Sequence, residues 1–130
     1  MSSEFGFGKT VDLSFDDAIE TVTSELEKEG FGVLSEIDVA AKMKAKLDKD
    51  MPPYRILGAC NPGLAYQAIS AVEDIGLLLP CNVLVREDAA GKVHVDFMDP
   101  QSVLSLVNDP GVEPLAAEVK GRLQKVMSAL

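Results

Sequence analysis

The stretch Tyr54-Arg-Ile-Leu-Gly-Ala-Cys-Asn-Pro-Gly-Leu-Ala-Tyr-Gln-Ala-Ile-Ser-Ala-Val-Glu-Asp-Ile-Gly-Leu-Leu-Leu-Pro-Cys-Asn-Val-Leu-Val-Arg-Glu87 reads as a strand, a short helix and a long strand. It holds both cysteines of the chain, and each is followed by asparagine: Cys60-Asn61 and Cys81-Asn82. A proline touches each pair, Pro62 after the first and Pro80 before the second. Tyr54 to Ala59 has strand composition. Asn61 is a good helix N-cap, with Pro62 at the first helical position, where a missing N–H costs nothing. Leu64, Ala65, Ala68, Ile69 and Val72 give that helix an apolar face. Ile75 to Glu87 reads as one long strand, with Pro80 predicting a bulge or an edge because it cannot donate to a ladder.

The regions on either side extend this pattern. Glu4 to Leu13 alternates Phe5, Phe7, Val11 and Leu13, which predicts a half-buried strand. Ser14 caps a helix over 15–29, whose stripe is Phe15, Ala18, Ile19, Val22 and Leu26, and Gly30 suits the turn after it. Phe31 to Ile37 predicts a second strand with Phe31, Val33, Ser35 and Ile37 on one face. Asp38 caps a short helix over 39–48, with Met43 and Leu47 expected to face inward and its lysines outward. After the Asp88-Ala-Ala-Gly91 turn, Lys92 to Met98 returns as a hairpin strand. Pairing Val85 with Val93, Val83 with Val95 and Cys81 with Phe97 puts the apolar residues on one face. Asp99-Pro100 closes the sheet, and Pro114 opens a last helix with the stripe Leu115, Val119, Leu123, Val126 and Met127.

Strands and helices do not alternate regularly, so the expected class is α+β, a mostly antiparallel sheet with its long helices on one face. At 130 residues the chain is expected to form a single domain over 1–130. Such a chain buries about two-thirds of its unfolded surface and needs neither disulfide nor metal to fold. A composition of 47% hydrophobic and 25% charged residues excludes disorder. The net charge of −9 repels phosphate, so no nucleic-acid or anionic-membrane partner is expected. No apolar run approaches the ~20 residues of a membrane span. Met-Ser-Ser-Glu-Phe has neither the basic nor the apolar region of a signal peptide. The expected location is the cytoplasm, where both cysteines stay reduced.

Three long motifs carry a resemblance. Gly30-Phe-Gly-Val-Leu-Ser-Glu-Ile-Asp38, Tyr54-Arg-Ile-Leu-Gly-Ala-Cys-Asn-Pro62 and Gly76-Leu-Leu-Leu-Pro-Cys-Asn-Val83, followed by Asp99-Pro100, resemble domain-of-unknown-function family 302. The resemblance covers nearly the whole chain. It implies a small α+β domain of TATA-box-binding-protein-like topology: strand, helix, four strands, helix. It also implies a cytoplasmic protein and makes a homodimer the expected assembly. It assigns no function, and the fold label imports no DNA binding, because function lives in sites.

The candidate site residues are Glu36, Arg55, Cys60, Asn61, Cys81 and Asn82. They gather two thiols, two side-chain amides, a carboxylate and a guanidinium. A pocket is expected where the ends of strands 54–60 and 76–83 meet, beside Glu36. Glu36 is a candidate general base or polar-ligand contact. Arg55 either pairs with Glu36 or binds an anionic group of a ligand. The cysteines are either buried small hydrophobes or a redox pair, for which their Cα atoms must lie within about 7 Å. Cys60 beside the Asn61-capped helix has one activating feature, the helix dipole. Two cysteines and His94 have no metal-site spacing, and His94 is expected as an exposed hairpin residue, so neither metal nor cofactor is expected. Two function classes follow. One is a small-ligand-binding or protein-interaction module, expected as a homodimer. The other is a thiol-dependent enzyme or redox sensor using Cys60 and Cys81.

Overall fold

The computed structural model describes residues 3–130. The reading that Met-Ser-Ser-Glu-Phe is no signal peptide falls in part on Met1 and Ser2, which lie outside them. Five strands form one antiparallel sheet in the order β1-β5-β4-β3-β2, with β1 at Gly6–Val11, β2 at Gly32–Asp38, β3 at Tyr54–Cys60, β4 at Cys81–Glu87 and β5 at Val93–Met98. Helix α1 spans Phe15–Lys28, α2 Val39–Leu47, α3 Pro62–Ala71, α4 Pro100–Leu104 and α5 Glu113–Ser128. The fold is α+β, with helices packed on the sheet. With α2, α3 and α4 taken as excursions, the order is strand, helix, four strands, helix, consistent with the implied topology.

Local chemistry sets the helix starts. Ser14 Oγ accepts the Asp17 N–H, Asp38 Oδ1 accepts the Ala41 N–H and Asn61 Oδ1 accepts the Leu64 N–H. Asp99 Oδ1 accepts the N–H groups of Gln101 and Ser102, while its other oxygen takes Lys120 Nζ at 2.9 Å and so ties α4 to α5. Gly30, at φ +84°, makes the left-handed turn out of α1.

Burial then follows the stripes. Ala18, Val22 and Leu26 of α1 and Val119, Leu123 and Val126 of α5 cover one sheet face, made by Leu57, Ala59, Val83, Val85, Val93, Val95 and Phe97. Phe7 stacks on Phe97 with ring centroids 5.6 Å apart. A second, smaller core joins Ala68, Ile75, Leu104, Val112 and Ala116 under α3, α4 and α5.

Five expectations are corrected. Glu73–Leu78 is a 3₁₀ turn, so the long strand 75–87 shrinks to Cys81–Glu87. Ile75 buries in the second core, which pulls this segment off the sheet, and Pro80 follows a cis peptide bond just before the ladder begins. Pro80 therefore interrupts nothing. The irregularity lies across from it on β2, where Val33 opposes Ala59 and Ser35 opposes Gly58, leaving Leu34 as the extra residue. That bulge separates Phe31 and Val33, which pack on the core, from Ile37, which is turned outward and 46% exposed.

The hairpin register is also two residues from the expected one: Val83 opposes Phe97, Val85 opposes Val95 and Glu87 opposes Val93. A shift of two leaves every side chain on the same face, so the hydrophobic pattern fits both registers. Asp88 decides between them, because its Oδ1 accepts the N–H groups of Ala90 and Lys92 and closes the turn, with Gly91 at φ +83°. Finally, α2 buries none of its residues, and Leu47 is 62% exposed rather than inward.

Candidate functional site

Three elements converge at one end of the β2–β3–β4 ladder. Strand β3 ends at Cys60, Asn61 caps α3 immediately after it, and β4 begins at Cys81, opposite Ala59. The β2 bulge brings Leu34 and Ser35 alongside, and α5 closes the far wall with Leu115 and Val119. Between them lies a cavity of about 360 Å³. Leu64, Ala65, Ala68 and Ile69 of α3 and the Leu79-Pro80 pair complete its lining. No Asp, Glu, Lys, Arg or His lines it.

The polar groups at the wall are few. The Asn61 amide is used internally: it accepts from Leu64 and donates to Glu29 O at 3.4 Å. It thereby ties the start of α3 to the end of α1. Burial pushes the Cys60 thiol above its ordinary pKa. Burial, and then the neighbouring Cys60, push Cys81 up to about 11. Both thiols are therefore neutral at pH 7, and the wall carries no charge.

Cys60, Asn61 and Cys81 thus lie along one wall, and the other three candidates lie elsewhere. Glu36 and Arg55 stand toward the opposite end of the β2–β3 ladder, where Asp38 opposes Arg55. Arg55 donates to Glu36 Oε1 at 3.1 Å and to Asp38 Oδ2 at 3.2 Å, and its Cζ lies 5.4 Å from the Phe15 ring centroid. This clamp uses all three charges among themselves. Asn82 projects from the sheet face away from α1 and α5, where it opposes Gly58. It lines a shallow depression there with Tyr54, Leu84, Arg86, Asp96 and Met98.

Asp96 was not anticipated. It is only 6% exposed; Oδ2 accepts from Arg86 Nε at 3.0 Å, and Oδ1 has no hydrogen-bond partner among the described residues. Its strand signal was simple alternation, which marks it as outward and hides its burial. His94 also differs from a free hairpin residue: Nε2 lies 2.7 Å from Asp88 Oδ2 and Nδ1 3.2 Å from Thr10 Oγ1. Since Asp88 holds the turn, this chain braces the hairpin against β1. Among the described residues no group of three or more His, Cys, Asp or Glu side chains is placed to hold a metal ion, and no helix is long and apolar enough to cross a membrane.

Residues 7–130 match the family model described as domain of unknown function DUF302. The chain belongs to the DUF302 family. The crystal structure of the uncharacterized conserved protein DUF302 from Bacillus stearothermophilus is similar to it, with a TM-score of 0.90 and 28% identity over 98% of each chain. Comparison with curated proteins returns no match. Membership in DUF302 confirms the resemblance carried by the three motifs, and two of these motifs supply Cys60, Asn61 and Cys81 to the cavity wall. The α3 residues of the cavity gave a different signal. Ala65 and Ala68 were legible as an apolar stripe, but their small size, which leaves the space open, registers only when the opposing wall is in place.

Proposed function

We propose that this DUF302 protein is a small-ligand-binding module whose site is the cavity at the ends of β3 and β4. One observation carries the reading: an apolar space of about 360 Å³ is lined by Ala65 and Ala68 of α3, by Leu115 and Val119 of α5 and by the strand ends, with no charged side chain. Pockets for small organic ligands begin at about this size and are mostly apolar.

The thiol-dependent alternative needs a thiolate. Burial raises both thiols, and a neutral thiol is a poor nucleophile, so Cys60 and Cys81 serve here as small apolar wall residues. A cytoplasmic home, which keeps them reduced, belongs to the same proposal. A homodimer is also part of it. Strands β1 and β2 are both sheet edges, and exposed edges invite pairing unless covered.

Methyl NMR during titration with a mixture of small organic fragments tests the site. Shifts are expected to cluster on Ala65, Ala68 and Val119, and Ala65→Phe is expected to abolish them while the variant keeps its fold. Shifts scattered over the surface, or unchanged in Ala65→Phe, would remove the cavity reading. Light scattering at rising protein concentration tests the dimer, which fails if the mass stays at that of the monomer.

A further inference from the structure

The chemistry of the cavity wall narrows the ligand. We infer that the occupant is an uncharged, compact lipophile carrying a single polar atom, and this inference rests on the cavity being a ligand site. The wall supplies no group of either charge, and both thiols keep their protons. A carboxylate, phosphate or ammonium entering it would lose water without gaining a partner, the most unfavourable transfer available to a ligand. The chain's net charge of −9 disfavours an anion further at long range. Ligands that must seat a charge inside the cavity, nucleotide phosphates and polyamines among them, are therefore disfavoured.

Size follows from volume. A cavity of ~150 Å³ accommodates benzene. By that scale about 360 Å³ accommodates roughly a dozen non-hydrogen atoms, the size of a bicyclic aromatic or a medium-length alcohol.

Polarity follows from which wall groups are already satisfied. The Asn61 amide is engaged with Leu64 and Glu29, which fixes its orientation and leaves it one further N–H. Ser35 differs. It is exposed at the bulged edge of β2, lines the cavity, and its Oγ has no hydrogen-bond partner among the described residues. Its hydroxyl both donates and accepts, so it pairs with the hydroxyl or carbonyl of a neutral ligand. The ligand lies with its apolar body against Ala65, Ala68, Leu115 and Val119 and its polar atom at the rim, where Ser35 Oγ lies over Gly58 beside Pro80. Cys60 and Cys81 contribute polarizable contact at the wall.

A matched set of probes tests this on the full chain: 2-naphthol, 2-naphthoate, 2-naphthylmethylammonium and 2-methylnaphthalene, each followed by calorimetry and methyl NMR at pH 7. The expected result is binding of 2-naphthol at the cavity, with both charged isosteres weaker by about 100-fold or more, as a charge left without a partner requires. Ser35→Ala is expected to weaken 2-naphthol about 5- to 10-fold, one hydrogen bond's contribution, and to leave 2-methylnaphthalene unchanged. A charged isostere binding the cavity within tenfold of 2-naphthol overturns the neutral-ligand inference while the cavity remains a binding site. Equal loss of both neutral probes in Ser35→Ala overturns the role of Ser35. If none of the four perturbs the cavity methyls, the cavity itself is no ligand site.

Discussion

Gly58 faces Ser35 across the β2–β3 ladder with no room for a side chain between them. A Cβ built on Gly58 would fall on Ser35 Oγ and lie 2.9 Å from Pro80 Cγ. Ser35 and Pro80 both border the cavity, so this one hydrogen atom sets how closely the β2 bulge approaches the start of β4. Gly58→Ala is expected to cost about 1–3 kcal/mol, the range for overpacking, and to displace both residues. Urea denaturation gives the first quantity and NMR shifts at Ser35 and Pro80 the second. Wild-type values for both would show that the bulge yields freely.

The Cys81 thiol makes stability depend on alkaline pH. In the unfolded chain it loses its proton near 9.0, and in the folded chain near 11. The folded state therefore holds the proton longer. Its contribution is complete below pH 9 and is lost as pH rises from 9 through 11, by about 3 kcal/mol. Cys81→Ala is expected to flatten that part of the profile. Denaturation midpoints from pH 7 to 11 decide, and an unchanged slope in the variant would assign the loss to other groups.

Arg86 and Asp96 form a pair on the sheet face away from α1 and α5, one partner half-buried and the other nearly closed off. Removing the arginine leaves a buried carboxylate without its counterion. Arg86→Met is expected to cost about 3 kcal/mol, and adding Asp96→Asn to recover part of it by removing the charge. Equal costs for the single and double variants would mean that the pair contributes through packing alone.

Glu36 and Asn82 lie away from the cavity, and their substitution is expected to leave it untouched. Glu36→Gln keeps Asp38 as a partner for Arg55, and the lost pair is a solvent-exposed one worth at most about 1 kcal/mol. Asn82→Ala removes an exposed side chain from the opposite face, with an expected change within about 0.5 kcal/mol. Neither is expected to alter probe binding. A tenfold affinity loss in either variant would connect these positions to the site after all.

Local chemistry made much of the architecture legible from residue order alone. The caps at Ser14, Asp38 and Asn61 depend on one side chain and the next three residues, and all three are present. The stripes of α1 and α5 and the face alternation of β4 and β5 needed only periodicity. The family also followed from contiguous motifs.

What lay beyond the sequence depended on partners distant in the chain. Periodicity of two cannot tell a register from one shifted by two residues, so the Asp88 turn chose between them. An apolar run such as Ile75–Leu79 suits a strand or a buried turn equally, and the second core chose the turn. The same holds for the site. Adjacency placed Cys60 beside Asn61, but only the β3–β4 pairing brought Cys81 to them, and only the bulge at Leu34 added Ser35. Ladder position sent Glu36 and Arg55 to the other end and turned Asn82 to the opposite face. A cavity is the space between walls, and here those walls come from β2, β3, α3, the start of β4 and α5, so no single segment of sequence contains it.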